Sequence, residues 1–375
     1  MRFKYYHTIR ALSKAAFLPL ESPNFPFTDY DFLLALEESG SLFERTGWYP
    51  YYLALYEKED LEAFLVAYVK TNSYGEYIFD WDWAAGYEKA GAAYYPKLVG
   101  AIPFTPATGT KLLTKNGKNK DRYVCAFLKE LIALLKKEKL SGIHHLFLEE
   151  GCLPSLQKEG YLKRLSYQYH WKNRSYKDFE GFLCQLKGKR AKEIRRERKK
   201  VLAEELEIEL LRGKEIKDEH SRVFYAFYKA SVHKKQAFDY LTPEFFDLVF
   251  KTMKDRLVLC LAKKNFEPVA ASLSFCKGNK LFGRYFGALK EYSFLHFELC
   301  YYLLIEFAIK NGIDLFEAGA QGEHKKARGF ETVFTYSAHH MAHAGFSRAI
   351  SDYIDHEARL LRQMKKEDAM RSPYR

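Results

Sequence analysis

The sequence predicts an α/β (α+β) fold made of two tandem domains, each a mixed sheet flanked by helices. Three observations carry this. At 375 residues the chain is longer than one ordinary core requires and fits two domains of usual size. Strand-like and helix-like segments alternate along it. The two halves also echo each other: Gly142-Ile143 to Gly160-Tyr161 spans 18 positions, and Gly312-Ile313 to Gly329-Phe330 spans 17. Seven residues past each second glycine stands a tyrosine (Tyr167, Tyr336), and ten past it a histidine (His170, His339). A set of such matches points to a duplicated unit.

The elements follow in order. Residues 51–57 and 61–70 have strand composition around the turn at Lys58-Glu59-Asp60. Apolar residues at helical spacing over 123–137 predict a helix, stopped at Ser141-Gly142. A strand over 143–149, a break at Pro154 and a last strand after Gly160 complete the first half. In the second half, 257–263, 268–277 and 280–288 read as a three-strand meander with turns at 264–267 and Gly278-Asn279. Ser293 is a suitable N-cap for a helix running to Lys310, which Asn311-Gly312 ends. A strand over 313–318, a polar helical turn and a final strand after Gly329 follow, and residues 347–365 read as an amphipathic helix docked on the second domain. The last few residues are expected to be unanchored.

A meander, a helix packed across it, and a strand parallel to the meander's last strand resemble the central layout of the GNAT acyltransferase fold. Where the two parallel strands part, a helix N-terminus faces the gap, and free N–H groups with the positive dipole end suit an anion. The expected division is 1–180 for a first, acceptor-side domain and 207–375 for a second, donor-side domain. Residues 181–206 form a basic connecting helix between them.

Composition narrows the function. The longest clean apolar run near the middle, 257–262, is strand-length, so no transmembrane segment is expected, and no apolar run at the N-terminus suggests a leader. A cytoplasmic protein is the expectation, with peripheral membrane contact left open. The six cysteines (125, 152, 184, 260, 276 and 300) include no C-x-x-C pair, which argues against a zinc site and a disulfide framework. The histidines at 144, 145, 339, 340 and 343 lack carboxylate or cysteine partners at ligand spacing, so no metal is expected. The net charge is +12, and Lys187–Lys200 holds nine basic and two acidic residues. This stretch is either a solvated helix or a face for a phosphate-rich ligand.

Several blocks carry a resemblance to a known family. They are Ala35–Ser41 with Gly47–Pro50, Gly75–Asp80, Tyr94–Leu98, Pro103–Pro106, His296–Glu298 with Cys300–Tyr302, and Phe316–Lys325 with Arg328–Phe330. In these the chain resembles, over nearly its whole length, the FemAB-like peptidoglycan biosynthesis/recognition proteins, a family of the GNAT superfamily. The resemblance implies two GNAT-like domains and an N-acyltransferase that moves an aminoacyl or acyl group to an amine of a peptidoglycan precursor. It implies an acyl donor, aminoacyl-tRNA or acyl-CoA, and no tightly bound cofactor. Residues 287–296 carry a single glycine where a coenzyme A cradle has several small residues, which counts against an acetyl-CoA-dependent N-acetyltransferase. A non-catalytic cell-wall precursor recognition protein is the other alternative.

Acyl transfer to an amine needs a group to take the ammonium proton and donors for the oxyanion. Glu323, just past a parallel strand, is the candidate base, with His324, His296 and Glu298 as supporting catalytic candidates. Each also has a plainer reading, as a turn cap, a surface residue or a satisfied buried group. Arg284, Gln321, Lys325, Arg328, Arg195 and Arg196 are candidates for holding donor phosphates. Lys70, Glu76, Asp80, Tyr95 and Lys97, set among glycines and prolines, are candidates for the acceptor.

Overall fold

The computed structural model describes residues 1–115, 119–319 and 322–375. The chain divides into two compact units, Met1–Tyr167 with Phe334–Met364, and Gln168–Val333 with Lys365–Arg375. This differs from the division expected from chain order, because the last strand and most of the C-terminal helix group with the first unit.

Among the described residues fifteen strands follow one another: β1 (Arg2–Tyr6), β2 (Trp48–Pro50), β3 (Tyr52–Glu57), β4 (Asp60–Leu65), β5 (Tyr68–Lys70), β6 (Lys97–Gly100), β7 (Leu112–Thr114), β8 (Gly142–Leu148), β9 (Leu162–Lys172), β10 (Glu207–Arg212), β11 (Leu257–Lys264), β12 (Glu267–Lys277), β13 (Lys280–Ala288), β14 (Leu315–Glu317) and β15 (Glu331–Met341).

In the first unit, β1, β3, β4 and β7 form one antiparallel sheet. The order β2-β5-β6-β8-β15 forms the other, with β6 and β8 parallel. The single strand expected over 61–70 is thus two strands in different sheets. The chain leaves the first sheet at Val66, whose amide donates to Lys111 at 2.9 Å, and Ala67 accepts from Tyr51. The helix Lys120–Lys137 ends in Lys136 and Lys137, favourable to its dipole. Its apolar stripe of Tyr123, Phe127, Leu131 and Leu134 packs on Leu53, Leu55, Leu98 and Ile143.

The second unit carries the meander in the expected place. β10, β11, β12 and β13 are consecutive antiparallel neighbours. β14 then lies parallel to β13, and the second half of β9 closes the sheet against β14. Each unit therefore ends on a strand from the other half of the sequence: β15 pairs with β8, and β9 with β14. Local patterning identifies such strands without naming their partners.

Gly287 explains the lone glycine of its segment. A Cβ there would lie 2.2 Å from the Phe227 carbonyl, on the helix Glu219–Lys234 that crosses β13. Glycine lets that helix backbone approach the strand.

The C-terminal helix, Ala344–Met370, packs Ile350 and Ile354 with Trp83, Tyr87 and Tyr94 in the first unit. It is fixed by Arg164, which donates to Glu357 at 2.7 and 2.9 Å. Docking of this whole helix on the second domain is therefore corrected. The chain end is anchored rather than loose: Tyr374 is buried and its hydroxyl donates to the Gly329 carbonyl at 2.6 Å. Among the described residues, no helix is long and apolar enough to cross a membrane.

Candidate active site

In the second unit, β13 and β14 pair only over Lys280–Phe282 and Leu315–Glu317, then separate. A bulge between Leu273 and Ser274 of β12 leaves Arg284 as the extra residue of β13 at that opening. The helix expected from Ser293 starts instead after Phe294, a left-handed residue with φ 66° and no side-chain cap bond. Its first turn passes into a π segment, Glu298–Tyr302, before the regular helix Leu303–Lys310. Such insertions re-aim successive side chains and recur at functional sites. Here the Tyr301 hydroxyl meets His324 Nε2 at 2.9 Å, while the Tyr302 hydroxyl donates to Glu197.

The polar turn past β14 is the 3₁₀ segment Glu323–Arg328. It starts at Gly322, whose φ of 109° suits only glycine and where a Cβ would lie 2.5 Å from the His324 ring. Lys325 is buried and its Nζ donates to the Gly319 carbonyl at 3.0 Å. His296 lies in an aromatic box, with ring centroids 4.7 Å from Phe286, 5.5 Å from Tyr301 and 6.0 Å from His324.

Burial, reinforced by His324, Lys235, Lys325 and Arg328, pulls His296 down to about 4. His324 is lowered too, by burial and then by Arg328 and Lys325. Both imidazoles are therefore neutral at physiological pH, the form that accepts a proton. Burial also lowers Lys325 to about 8, a cation only modestly above neutrality.

The candidates separate into groups. His296, His324, Lys325 and Arg328 come together, with Arg284 near enough to depress Lys325. Glu298 is instead engaged by Arg198, which donates to it at 2.7–3.1 Å and to Glu306 at 2.6 and 3.2 Å. Glu323 has a 77% exposed side chain and lies 3.9 Å from Lys326, at a surface cleft with Arg190 and Arg371. Arg195 is exposed and paired with Glu180, and Arg196 is exposed on the outer face of the helix Gly188–Leu202. Gln321 lies outside the described residues.

The acceptor candidates sit together in the first unit. Lys97 Nζ, fully buried, donates to Ser73 at 3.0 Å, Glu76 at 2.9 Å and Asp80. Tyr94 also donates to Asp80, and Tyr95 meets Ser73 at 2.7 Å. Burial would raise the Asp80 carboxyl, but Lys97, His144 and Ser73 together outweigh it and hold Asp80 at about 2. For Glu76 burial prevails, and the carboxyl rises to about 7. Lys70, over the Trp48 ring and donating to the Thr46 and Tyr74 carbonyls, is lowered by burial to about 7.

Among the buried polar residues that sequence reasoning missed are Glu197, Glu317 and Lys111. Glu197 falls in the buried series Ala191, Ile194, Glu197 and Val201, and a carboxylate on an apolar stripe was a readable signal. Glu317 is buried at the last parallel pair, 3.9 Å from His170. Lys111 is buried against the carbonyls of Gly109 and Phe147. Nothing local in the sequence distinguishes the last two.

The comparisons agree with this architecture. Among curated proteins none matches the chain. Of solved structures, that of FemX is similar at a TM-score of 0.56 and 12% identity, covering 94% of this chain and all of that one. The L-PGS structure from Bacillus licheniformis gives 0.52 and 10%, covering 85% and 95%. The C-terminal domain of a putative lysylphosphatidylglycerol synthetase from Agrobacterium fabrum gives 0.52 and 9%, covering 91% and 96%. At such identity these likenesses speak for the fold. The family model described as peptidoglycan biosynthesis/recognition matches residues 8–375, and the chain belongs to this FemAB-like family.

Proposed function

We propose that the protein is an N-acyltransferase that moves an aminoacyl group from aminoacyl-tRNA to an amine of a peptidoglycan precursor. The observation that supports this most is the grouping of Lys325, His324 and His296 at the opening between β13 and β14. In this reading the acceptor amine attacks the ester carbonyl of the donor, and the tetrahedral oxyanion forms beside the Lys325 ammonium. His324, exposed on one side and held by Tyr301 on the other, takes the proton from the attacking nitrogen. The ester oxygen leaves with a proton as the amide forms. Glu323 stays at the rim, and the exposed cations of the helix Gly188–Leu202 meet donor phosphates.

The commitment of Gly287 to helix packing speaks for the tRNA ester over acyl-CoA, whose pyrophosphate needs close backbone wrapping. The name of the Agrobacterium fabrum protein, a putative lysylphosphatidylglycerol synthetase, points the same way, toward transfer of an amino acid. The test is transfer of a radiolabelled amino acid from charged tRNA to precursor by the wild-type protein and by His324→Gln. Transfer lost in H324Q with the fold intact supports the reading. Precursor binding without transfer by the wild type supports a recognition protein instead, and stabilisation by acetyl-CoA but not by tRNA supports the coenzyme A alternative.

A further inference from the structure

The helix Gly188–Leu202 has two chemically distinct faces. Lys192, Arg195, Arg196, Lys199 and Lys200 are exposed on one, while Ala191, Ile194, Glu197 and Val201 are buried on the other. Glu197 stands where the period calls for an apolar residue. It is 2% exposed, and a buried carboxylate is unfavourable unless both oxygens are matched. Both are: Oε2 accepts from Tyr302, and Oε1 accepts from Arg328 Nη2 at 2.7 Å.

Those partners reach the candidate site by two routes. Arg328 stacks over the Phe297 ring at 3.4 Å, and its Nη1 donates to the His324 carbonyl at 2.8 Å. Tyr302 is the chain neighbour of Tyr301, whose hydroxyl holds the His324 ring. One carboxylate thus fixes the 3₁₀ turn through Arg328 and the π segment through Tyr302, and His324 is gripped between them.

We propose that Glu197 is a positioning residue: through Arg328 and Tyr302 it sets the orientation in which His324 meets the reacting nitrogen. This rests on the reading of His324 as the proton acceptor. A leucine at 197 would fill the same apolar stripe, so the carboxylate serves geometry that packing alone does not require. A buried ionic group retained for a specific arrangement has precedent as a principle.

The test follows the His324 ring by NMR as a function of pH in wild type, Glu197→Gln, Glu197→Asp and Arg198→Met, with transfer kinetics beside it. Arg328 is among the groups that depress His324. In E197Q the guanidinium loses its counter-charge and its grip on the His324 carbonyl changes, so the His324 midpoint shifts by about half a pH unit or more. kcat falls about tenfold with KM within about twofold, and E197D recovers part of both changes. R198M breaks the neighbouring clamp on Glu298 and Glu306, so it lowers Tm but leaves the His324 midpoint in place.

A folded E197Q with an unmoved midpoint overturns the proposal, as does R198M moving it equally. Should E197Q fail to fold, E197D decides by the same two criteria, its shorter side chain giving a smaller shift. The titration needs no substrate, so a shifted midpoint without any transfer activity removes the proposed reaction and leaves the positioning intact. Transfer with an unmoved midpoint does the reverse.

Discussion

Lys325 donates to the carbonyl of Gly319 at 3.0 Å, and Gly319 lies two residues past Glu317, the last partner of β13 in the parallel pair. The first unit repeats the arrangement. Lys111 donates to the carbonyl of Phe147 at 2.7 Å, and Phe147 lies two residues past His145, the last partner of β6. Both acceptors have positive φ, 83° for Gly319 and 51° for Phe147. Each half thus turns a strand carbonyl toward a buried ammonium where parallel strands part. The surroundings differ: Lys111 also donates to Gly109 and Ala107, while Lys325 stands with His296, His324 and Arg284.

That difference predicts unequal consequences for the same change. Lys111→Met leaves three carbonyls without their donor, which costs about 1–3 kcal/mol and lowers Tm by several degrees. Its transfer rate per folded molecule stays near wild type. Lys325→Met removes the bond to the Gly319 carbonyl, but its mark is on transfer, which drops about 100-fold or more because the developing oxyanion loses its cation. Thermal melts paired with transfer assays check both. Equal losses of activity in the two variants would show that Lys325 is only a structural counterpart of Lys111.

Acid should destabilise the protein well above the carboxylate range. Burial holds His144 and His170 at about 3 and His145 and His296 at about 4, with His339 well below its ordinary value. The unfolded chain binds protons near 6.5 that the folded chain refuses, so stability is complete above 6.5 and is lost as pH falls toward 4. Each such imidazole withdraws about 2 kcal/mol between pH 7 and 5. Glu76, raised to about 7, acts with the opposite sign, since the folded state keeps its proton where the unfolded chain has lost it. Glu37 and Glu298, also raised by burial, act in the same direction, and these three carboxyls do not offset five imidazoles. Urea midpoints should fall steeply from pH 7 to 5, and less steeply in His145→Leu, whose Nε2 is buried without a hydrogen-bond partner.

How much of this was legible in the sequence depends on whether a residue's role is local. The meander, its turns and the Asn311-Gly312 stop follow from alternation and turn chemistry, and β11, β12 and β13 lie where those signals put them. The strand break at Val66 does not, because both sides of it are equally apolar and the bend is set by contacts with Lys111 and Tyr51. Position past a parallel strand singled out Glu323 and His324 together. A 3₁₀ turn then separates the neighbours, Glu323 toward Lys326 and His324 toward Tyr301. Lysines are ordinarily exposed, so the burial of Lys97, Lys111 and Lys325 could be read only from the folded chain.

The Lys97 cluster makes a stability prediction that its charges decide. Lys97→Met strands Glu76 and Asp80 in a buried place with their cation gone, a loss of about 3–5 kcal/mol. Glu76→Gln is mild by comparison, because the Glu76 carboxyl, raised to about 7, is already about half protonated at pH 7 and the amide oxygen still accepts from Lys97. Chemical denaturation should therefore rank K97M far below E76Q. The reverse order would mean that Glu76, rather than Lys97, holds the cluster together.

The outer face of the helix Gly188–Leu202 makes the last prediction, and its side chains are not equivalent. Arg195 is already paired with Glu180 at 2.5 Å, whereas Arg196 is exposed with its charge available to a polyanion. Arg196→Glu should weaken tRNA binding more than Arg195→Glu, and should lower the slope of log affinity against log salt by about one, since one phosphate is left without its cation. Adding Lys192→Glu and Lys199→Glu should flatten the slope further without altering the circular dichroism spectrum, because none of the three lies on the buried face. Filter binding of tRNA across a salt series gives the slopes. An unchanged slope in the triple variant would leave these cations as a solvated face and move donor recognition elsewhere on the molecule.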